Sequence, residues 1–315
     1  MTRLFSLARF AVLALLLSFT FACEDDDTAV TTQTGRLSVE ITDAPIDDAS
    51  VSAVFVTVTD VRLDGESVPG NYPLTVDLLA LRNGNTSLLA DANLEAGTYQ
   101  ELELVIDDAT DAAGNSPGCY VQTTDGTNYP LEVPDGSALI ANQTDLTLTA
   151  GGQLRAVIDF DLRKAVRRGE DSSQPYRFAA RQRLESALRL VDRDQAGTLS
   201  GSVTNNSGEE GRVVVYAYAA GTYSASEAEG DSDDELFLNA VTSASLEGGA
   251  YNLSFLSAGD YELVAASYQD EDNDGTLEFA GRFRLDATLG LNLGQLSVAA
   301  NSVTTADFNL GILLP

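Results

Sequence analysis

Three acidic side chains in one short segment are the residues of this sequence best suited to binding a metal. Asp270, Asp272 and Asp274 alternate along the chain, and a glycine follows them directly. In a calcium-binding loop, carboxylates at positions one, three and five supply hard oxygen ligands, and a glycine at position six permits the sharp turn. Thr276 would offer its backbone carbonyl, and Glu278 follows two residues later. The pattern predicts a structural Ca²⁺ site formed by these five residues.

The predicted calcium loop departs from the helix-flanked pattern in two respects. Its twelfth residue, where a bidentate glutamate is expected, is Gly281. Both flanks have the alternation of strands, so the loop would connect a β-hairpin and be completed by Glu278, by water or by a carboxylate from elsewhere. The alternative is a solvated acidic hairpin in a protein rich in acidic residues.

Residue types on which most enzymes depend are absent or isolated. The sequence has no histidine, which excludes a Ser-His-Asp triad, a Cys-His dyad and a histidine-ligated zinc. Cys119 lies in a segment predicted to be a strand, where a buried and unreactive thiol is expected. Paired carboxylates could serve a glycosidase, but the chain has no tryptophan to stack on a sugar ring. We therefore predict a protein that is not an enzyme.

The charge balance restricts the partners and the environment. The chain has 48 acidic and 18 basic residues, for a formal net charge of −30. A surface this acidic repels phosphate backbones, so no nucleic-acid partner is expected. Lys164 is the only lysine, and arginine richness with an acidic excess indicates a halophilic, high-salt setting. Because salt screens self-repulsion, folding stability should increase between low and molar salt.

The amino terminus has the pattern of a targeting signal. Two arginines precede an uncharged, mostly apolar run over residues 10–22. The run is shorter than the roughly 20 residues that span a bilayer, so a signal peptide over residues 1–22 is predicted. Ala22 before Cys23 resembles the lipobox of bacterial lipoproteins, which implies a lipid anchor on Cys23 as the first mature residue. The alternative is an ordinary signal peptide with an unrelated cysteine.

An acidic and threonine-rich tether is predicted over residues 23–34, because this segment has little apolar content. Acidic residues directly after the lipidated cysteine resemble the surface-export signals of some Gram-negative lipoproteins. A solvated spacer without a sorting role is an equal alternative.

The elements that must position these residues are mainly strands. Apolar residues alternate with polar ones along several segments, and glycine, asparagine and aspartate punctuate them. The apolar positions of the first half are Leu37, Val39 and Ile41; Val54, Val56, Val58 and Val61; Leu102, Leu104 and Ile106; Val157 and Phe160. We predict an all-β protein of two tandem antiparallel β-sandwich domains (Ig/transthyretin-like), over residues 35–192 and 197–315.

Several segments give less regular signals. A helical turn is predicted at residues 162–168, and residues 176–191 are compatible with either helix or strand. In the second half, residues 236–246 are predicted to be a strand. One short pattern occurs in both halves: Leu94–Tyr99 (LEAGTY) and Leu256–Tyr261 (LSAGDY) each place a tyrosine two residues after a glycine turn, at the start of an alternating strand. This indicates two related domains.

The first half resembles a domain of unknown function found on Gram-negative envelope lipoproteins. The segments that carry the resemblance are LSVEITDAP, LLALRNG, LEAGTY and VIDFD, in that order. The family has no established activity, so the resemblance implies no catalytic residue. The second half is similar to carboxypeptidase-regulatory-like, transthyretin-type domains through GTLSGSV and LSAGDYELVA. That similarity implies a spacer or binding platform.

These observations favour a non-enzymatic lipoprotein of the cell envelope, anchored in the outer membrane. Its role would be binding, adhesion or scaffolding, with an unknown protein or glycan as the ligand. The first alternative is a calcium-dependent subunit that captures glycan or substrate beside an outer-membrane importer. Its sugar-stacking candidates are Tyr216, Tyr218 and Tyr223. The second alternative is a hydrolase that uses carboxylates alone.

Overall fold

The computed structural model describes residues 33–44, 48, 50–136, 138–141, 146–169, 171, 173–229, 236–272, 277–288 and 290–314. The predicted signal peptide, Cys23 and most of the predicted tether lie outside these residues, as do Asp274 and Thr276. Among the described residues, no helix combines the length and the apolar character needed to cross a membrane.

The strands of residues 34–192, here called the N-terminal β region, pair with one another. They are β1 (Thr34–Ala44), β2 (Val51–Leu63), β3 (Glu66–Ser67), β4 (Leu74–Asp77), β5 (Ser87–Glu95), β6 (Gly97–Tyr99), β7 (Leu102–Ile106), β8 (Tyr120–Thr123), β9 (Asn128–Pro130), β10 (Ala138–Ile140), β11 (Leu146–Leu148), β12 (Gln153–Asp161), β13 (Val166–Arg168), β14 (Tyr176–Phe178) and β15 (Leu188–Asp192). Two short helices, α1 (Leu162–Ala165) and α2 (Arg181–Ser186), lie near the end of this region.

Two sheets enclose the core of the N-terminal β region. One has the strand order β15-β12-β1-β5, and the other has the order β10-β7-β2-β8-β9, with β3 and β4 also paired to β2. The alternating residues Leu37, Val39 and Ile41 of β1 pack into one buried cluster with the valines of β2. This is the arrangement expected when strands with one apolar face bury that face against a second sheet.

The strands of residues 196–314, here called the C-terminal β region, form one further sheet. They are β16 (Ala196–Asn205), β17 (Arg212–Ala219), β18 (Thr242–Ser245), β19 (Ala250–Ser257), β20 (Gly259–Gln269), β21 (Glu278–Ala287), β22 (Leu296–Val298), β23 (Val303–Thr305) and β24 (Phe308–Leu314). The main order is β18-β17-β20-β21-β24-β16-β19. Leu199, Val215 and Phe308 belong to one buried cluster, and Tyr216 and Phe237 belong to another.

The predicted all-β architecture is confirmed, and the sheets that contain β1 and β16 are mixed instead of wholly antiparallel. Strand β1 pairs in parallel with β12, and β16 pairs in parallel with β23 and β24. Parallel neighbours require long connections, and here the segments between β1 and β12 supply the second sheet. Independent folding of residues 35–192 and 197–315 stays a prediction.

The three segments with less regular sequence signals have different structures. The helical turn is α1 and ends at Ala165, because Val166–Arg168 pairs with Tyr176–Phe178 as a strand. The ambiguous segment contains a strand, helix α2 and then β15, so both readings hold for different parts of it. The prediction of a strand over residues 236–246 is wrong at its start: residues 236–239 form a turn, and Phe237 has a φ of +54°, which an extended strand does not allow.

The short pattern shared by the two halves forms the same local structure in both. The Tyr99 hydroxyl donates a 2.7 Å hydrogen bond to the Glu95 carbonyl, and the Tyr261 hydroxyl donates a 2.8 Å bond to the Ser257 carbonyl. In each case the tyrosine reaches back four residues across the glycine turn. The pattern therefore reports a common strand-to-strand turn, which the sequence identifies correctly.

Candidate functional site

The predicted calcium loop lies at the end of the hairpin formed by β20 and β21. Strand β20 ends at Gln269, which is paired with Glu278 at the start of β21. This pairing brings together one carboxylate oxygen each from Asp270, Asp272 and Glu278, all within 4.8 Å of one another. We call these three residues the loop cluster. The structure thus assembles three of the five predicted ligands, and the other two lie outside the described residues.

The loop cluster has the chemistry of a site for a hard cation. Three carboxylates at such distances repel one another, and a Ca²⁺ ion would bind their oxygens at roughly 2.4 Å and offset that repulsion. Glu278 is held in place by the backbone N–H of Glu271, which donates a 3.1 Å hydrogen bond to Oε2. Asp272 is exposed, so the cluster is open to exchange with solvent.

Gly281 lies where a helix-flanked calcium loop would have its last ligand, and the structure explains why a glycine is there. Its φ is +145°, and a Cβ on it would lie 2.5 Å from the Leu314 carbonyl oxygen. A glutamate is sterically excluded at this position because β24 passes so close to β21. Glu278, at the beginning of the same strand, provides the carboxylate instead.

Cys119 is a core residue. It is fully buried, and burial in apolar surroundings raises the pKa of its thiol to about 12. A thiol with such a pKa remains protonated and is a poor nucleophile. The prediction of a buried, unreactive cysteine is confirmed.

The tyrosines considered for sugar binding do not form an exposed face. Tyr216 and Tyr218 are buried, and the Tyr216 hydroxyl lies 2.7 Å from that of Tyr268. Tyr216 also stacks on Phe237 at a centroid distance of 4.3 Å. The hypothesis that Tyr216 and Tyr218 stack on a sugar is therefore wrong: alternation places both on the inner face of β17. Tyr223 packs edge-on against Tyr218.

A second set of charged residues, which the sequence analysis did not identify, lies between the two β regions. Arg163 on α1 donates a 2.6 Å hydrogen bond to Asp161 and a 3.3 Å hydrogen bond to the Phe237 carbonyl, and its guanidinium lies over the Tyr216 ring. Lys164 donates a 3.0 Å bond to the Ala240 carbonyl. Both basic residues belong to the N-terminal β region, and the groups they reach across the interface belong to the C-terminal one.

Further hydrogen bonds join the two β regions, and they run in both directions. Arg189 on β15 donates to Asp159 at 2.5 Å and to the Phe255 carbonyl at 2.7 Å. Asn252 donates to the Asn83 carbonyl at 3.2 Å, and the Asn83 side chain donates to Glu247 at 3.1 Å. The interface is therefore polar and fixed by directional bonds, many of them to backbone carbonyls.

Two buried acids of this interface, Asp161 and Asp43, have pKa values shifted in opposite directions. Burial alone would raise the pKa of Asp161, but the charges of Arg163 and Lys164 hold it below its ordinary value. For Asp43, burial and the charges of Asp159 and Asp161 raise the pKa well above its ordinary value. The only sequence signal of this network is the density of charge in Asp159–Lys164 (DFDLRK), which alternation alone would assign to a solvated face.

The fold and these contacts define an all-β protein whose two β regions share a buried, charged interface and whose acidic hairpin gathers three carboxylates. Within it, a domain of the family described as "Domain of unknown function (DUF4382)" is found over residues 34–179. The match spans β1 to β14 and ends before α2. The predicted resemblance of the first half to a domain of unknown function is thereby confirmed over residues 34–179. No curated protein matches the chain.

Similar solved structures include a leucine-rich repeat protein from Bacteroides thetaiotaomicron (15% identity, TM-score 0.23) and the Bacillus anthracis TIE protein (11%, 0.19). The alignments cover 90% and 88% of this chain, but the chain spans only 26% and 34% of those proteins. The minor pilin GBS52 of Streptococcus agalactiae is 13% identical with a TM-score of 0.21, over 88% of this chain and 96% of that one. TM-scores this low do not establish a common fold, so the function proposed below rests on the chain's own residues.

Proposed function

We propose that this protein is a non-enzymatic lipoprotein of the cell envelope, anchored in the outer membrane through lipid on Cys23, whose two β regions act together as a binding, adhesion or scaffold module. The observation that carries the proposal is the interface network of Asp161, Arg163 and Lys164. Buried charged groups that reach backbone carbonyls of the other region resist relative movement of the two regions. Two β regions held in a fixed arrangement suit a module that presents a surface at a distance from the membrane.

The anchor and the setting rest on sequence features. The apolar run over residues 10–22 and the small residue before Cys23 support a lipoprotein signal, and the acidic segment after Cys23 supports a tether. The net charge of −30 supports a high-salt environment and argues against nucleic acid as the ligand. The segments GTLSGSV and LSAGDYELVA support a carboxypeptidase-regulatory-like module over residues 197–315, in the role of spacer or platform.

The loop cluster would serve this module as a structural calcium site. Asp270, Asp272 and Glu278, together with Asp274 and Thr276, would bind Ca²⁺ at the tip of the β20–β21 hairpin. Binding to the folded state only would stabilise the hairpin by mass action, so that the module is stiffer where calcium is abundant.

The experiment is affinity capture of the full-length protein from native membranes, with protease treatment of intact cells in parallel. The wild type should fractionate with outer membranes and carry a lipid-sized mass increase on Cys23, whereas C23A should lose both. A C119A variant is the matched control, because its buried thiol has no part in anchoring. Soluble wild type without added mass would contradict the lipoprotein assignment.

Capture also separates the roles. A stoichiometric membrane protein in the eluate would identify a scaffold or accessory subunit, and surface exposure without such a partner would identify adhesion. Turnover of polysaccharide or peptide substrates by the purified protein would contradict the non-enzymatic role, and its loss when the loop carboxylates are neutralised would favour the carboxylate hydrolase.

A further inference from the structure

A small polar cavity lies where the end of β1 meets β18, at the junction of the two β regions. Its volume is about 20 Å³, and its lining includes Asp43 and Asp159 from the N-terminal β region and Ser243 and Ser245 from the C-terminal one. A space of this size has room for roughly one water-sized species. We call it the interface cavity.

Strand β18 presents hydroxyl groups to this cavity because of its alternation. Ala244 packs into a buried apolar cluster on one face of the sheet. Ser243 and Ser245, on either side of it, therefore point to the opposite face. Strand β18 is also the edge strand of its sheet, next to β17, which leaves it accessible to the N-terminal β region.

Most charged groups near the cavity have partners. Asp159 accepts a hydrogen bond from Arg189 at 2.5 Å, and Asp161 accepts one from Arg163 at 2.6 Å. Arg82, which also lines the cavity, lies 3.9 Å from Glu247. The negative charges of Asp159 and Asp161 nevertheless still act on Asp43.

Asp43 is the exception. It is 7% exposed, and neither of its carboxylate oxygens has a hydrogen-bond partner of normal geometry, although the Leu162 backbone N–H lies near enough to favour the ionised form. The Oγ atoms of Ser243 and Ser245 are likewise buried without a hydrogen-bond partner. Buried polar atoms are nearly always paired, so three unpaired groups on one small cavity indicate that they share a ligand.

The chemistry of the three groups specifies that ligand. A carboxylate and two hydroxyls offer lone pairs toward the same small space, and the carboxylate also requires a positive charge. A water molecule could hydrogen-bond to all of them if Asp43 were protonated, the form that burial beside Asp159 and Asp161 favours by raising its pKa, but it supplies no positive charge to the ionised form. A metal ion that prefers oxygen ligands satisfies both requirements.

We propose that the interface cavity binds one oxygen-seeking metal cation, Ca²⁺ or Na⁺, between Asp43 of β1 and Ser243 and Ser245 of β18. The ion joins a strand of one β region to the edge strand of the other. This second site is separate from the loop cluster and does not depend on it.

The test uses the full-length protein carrying D270N and D272N, in which the loop cluster is disabled. Thermal unfolding is measured in CaCl₂, NaCl and choline chloride at equal ionic strength, because general screening depends on ionic strength and site binding depends on the ion. We expect CaCl₂ or NaCl to raise Tm by roughly 3 °C more than choline chloride does. The ion that does so is the ligand.

Two further variants locate the effect. Adding D43N should abolish the ion-specific rise in Tm, and adding S243A with S245A should weaken the ion's apparent Kd by about tenfold. The serine variants keep the carboxylate, so they decide the question if D43N does not fold. Two outcomes would overturn the proposal. One is an ion-specific rise in Tm that persists in both the D43N and the S243A/S245A variants. The other is an equal Tm in all three salts for the D270N/D272N protein without further substitutions. Failure of the loop cluster to bind calcium would leave this result unaffected.

Discussion

Acidic residues occupy two contrasting environments in this protein. The loop cluster of Asp270, Asp272 and Glu278 lies at a hairpin tip in contact with solvent, and its carboxylates approach one another. At the interface between the β regions, Asp159 and Asp161 are buried and each accepts a hydrogen bond from an arginine. The same residue type therefore serves as a candidate ligand in one place and as half of a structural ion pair in the other.

The difference shows that net charge does not predict what an individual acid does. A solvated carboxylate stays ionised with little free-energy cost, so several of them can lie together and bind an ion reversibly. A buried carboxylate needs a permanent partner, because desolvation of an unpaired charge is costly. The few basic residues of this chain are used accordingly, and Arg163, Lys164 and Arg189 all lie at the interface.

The largest effect should follow removal of a buried partner. R163A leaves Asp161 with Lys164 as its charged partner and with the backbone N–H of residue 163, and it removes the bond to the Phe237 carbonyl, so we expect a loss of about 3–5 kcal/mol in the free energy of unfolding. Urea denaturation at neutral pH measures it. R36A, at the exposed pair with Asp91, is the control and should unfold near the wild-type midpoint. Equal urea midpoints for R163A and R36A would contradict the prediction that the buried ion pair contributes more to stability than the exposed one.

Calcium should give the next largest effect, mainly through the exposed acids of the loop cluster. At a concentration of about 100 times Kd, Ca²⁺ should stabilise the wild type by about 2.7 kcal/mol through the loop cluster. D270N/D272N should lose that increment in calorimetric titrations and in thermal unfolding, apart from any contribution of the interface cavity. D260N, which removes an exposed acid elsewhere on β20, should keep the full increment.

Asp48 provides an intermediate case, since it accepts hydrogen bonds from Ser50, Tyr176 and Arg168. Burial alone would raise its pKa, but these bonds and the charge of Arg168 hold the pKa below the ordinary 3.8. The ionised form is thus favoured by folding, and this stabilisation is present above pH 4 and lost as pH falls through the lowered pKa. D48N should be less stable than wild type by about 2 kcal/mol at pH 7.

A pH series of urea denaturation curves tests this sign. The difference between wild type and D48N should shrink as pH falls below about 4, because protonation removes from the wild type what the substitution has already removed. A difference that stays constant down to pH 2 would show that Asp48 contributes through shape and not through charge. D260N, at an exposed position on β20, is the control.

Salt should produce the smallest change and should act on the exposed acids collectively. With a formal net charge of −30, raising choline chloride from low to molar concentration should raise Tm by screening repulsion, without engaging a specific site. R163A should show the same salt increment as wild type, because its buried partner is shielded from solvent ions. A Tm that is flat or falls over this range would contradict the prediction.

Local patterns account for what could be predicted about the fold and the loop cluster. The alternation of Leu37, Val39 and Ile41 places them on one face of β1, and all three are buried. The tyrosine turns at Tyr99 and Tyr261 were recognisable because their hydrogen bonds span four residues. Asp270 and Glu278 lie close together because a hairpin joins neighbouring segments of the chain, so their proximity could be predicted from their spacing in the sequence.

The sequence by itself determined the strands, the turns and the acidic hairpin, because each depends on residues close together in the chain. Only the tertiary structure decided that Tyr216 is buried, that β1 runs parallel to β12, and that Asp43 meets the serines of β18. These contacts join residues far apart in sequence, and desolvation, which sets the cost of every unpaired charge, depends on what the whole fold places around it.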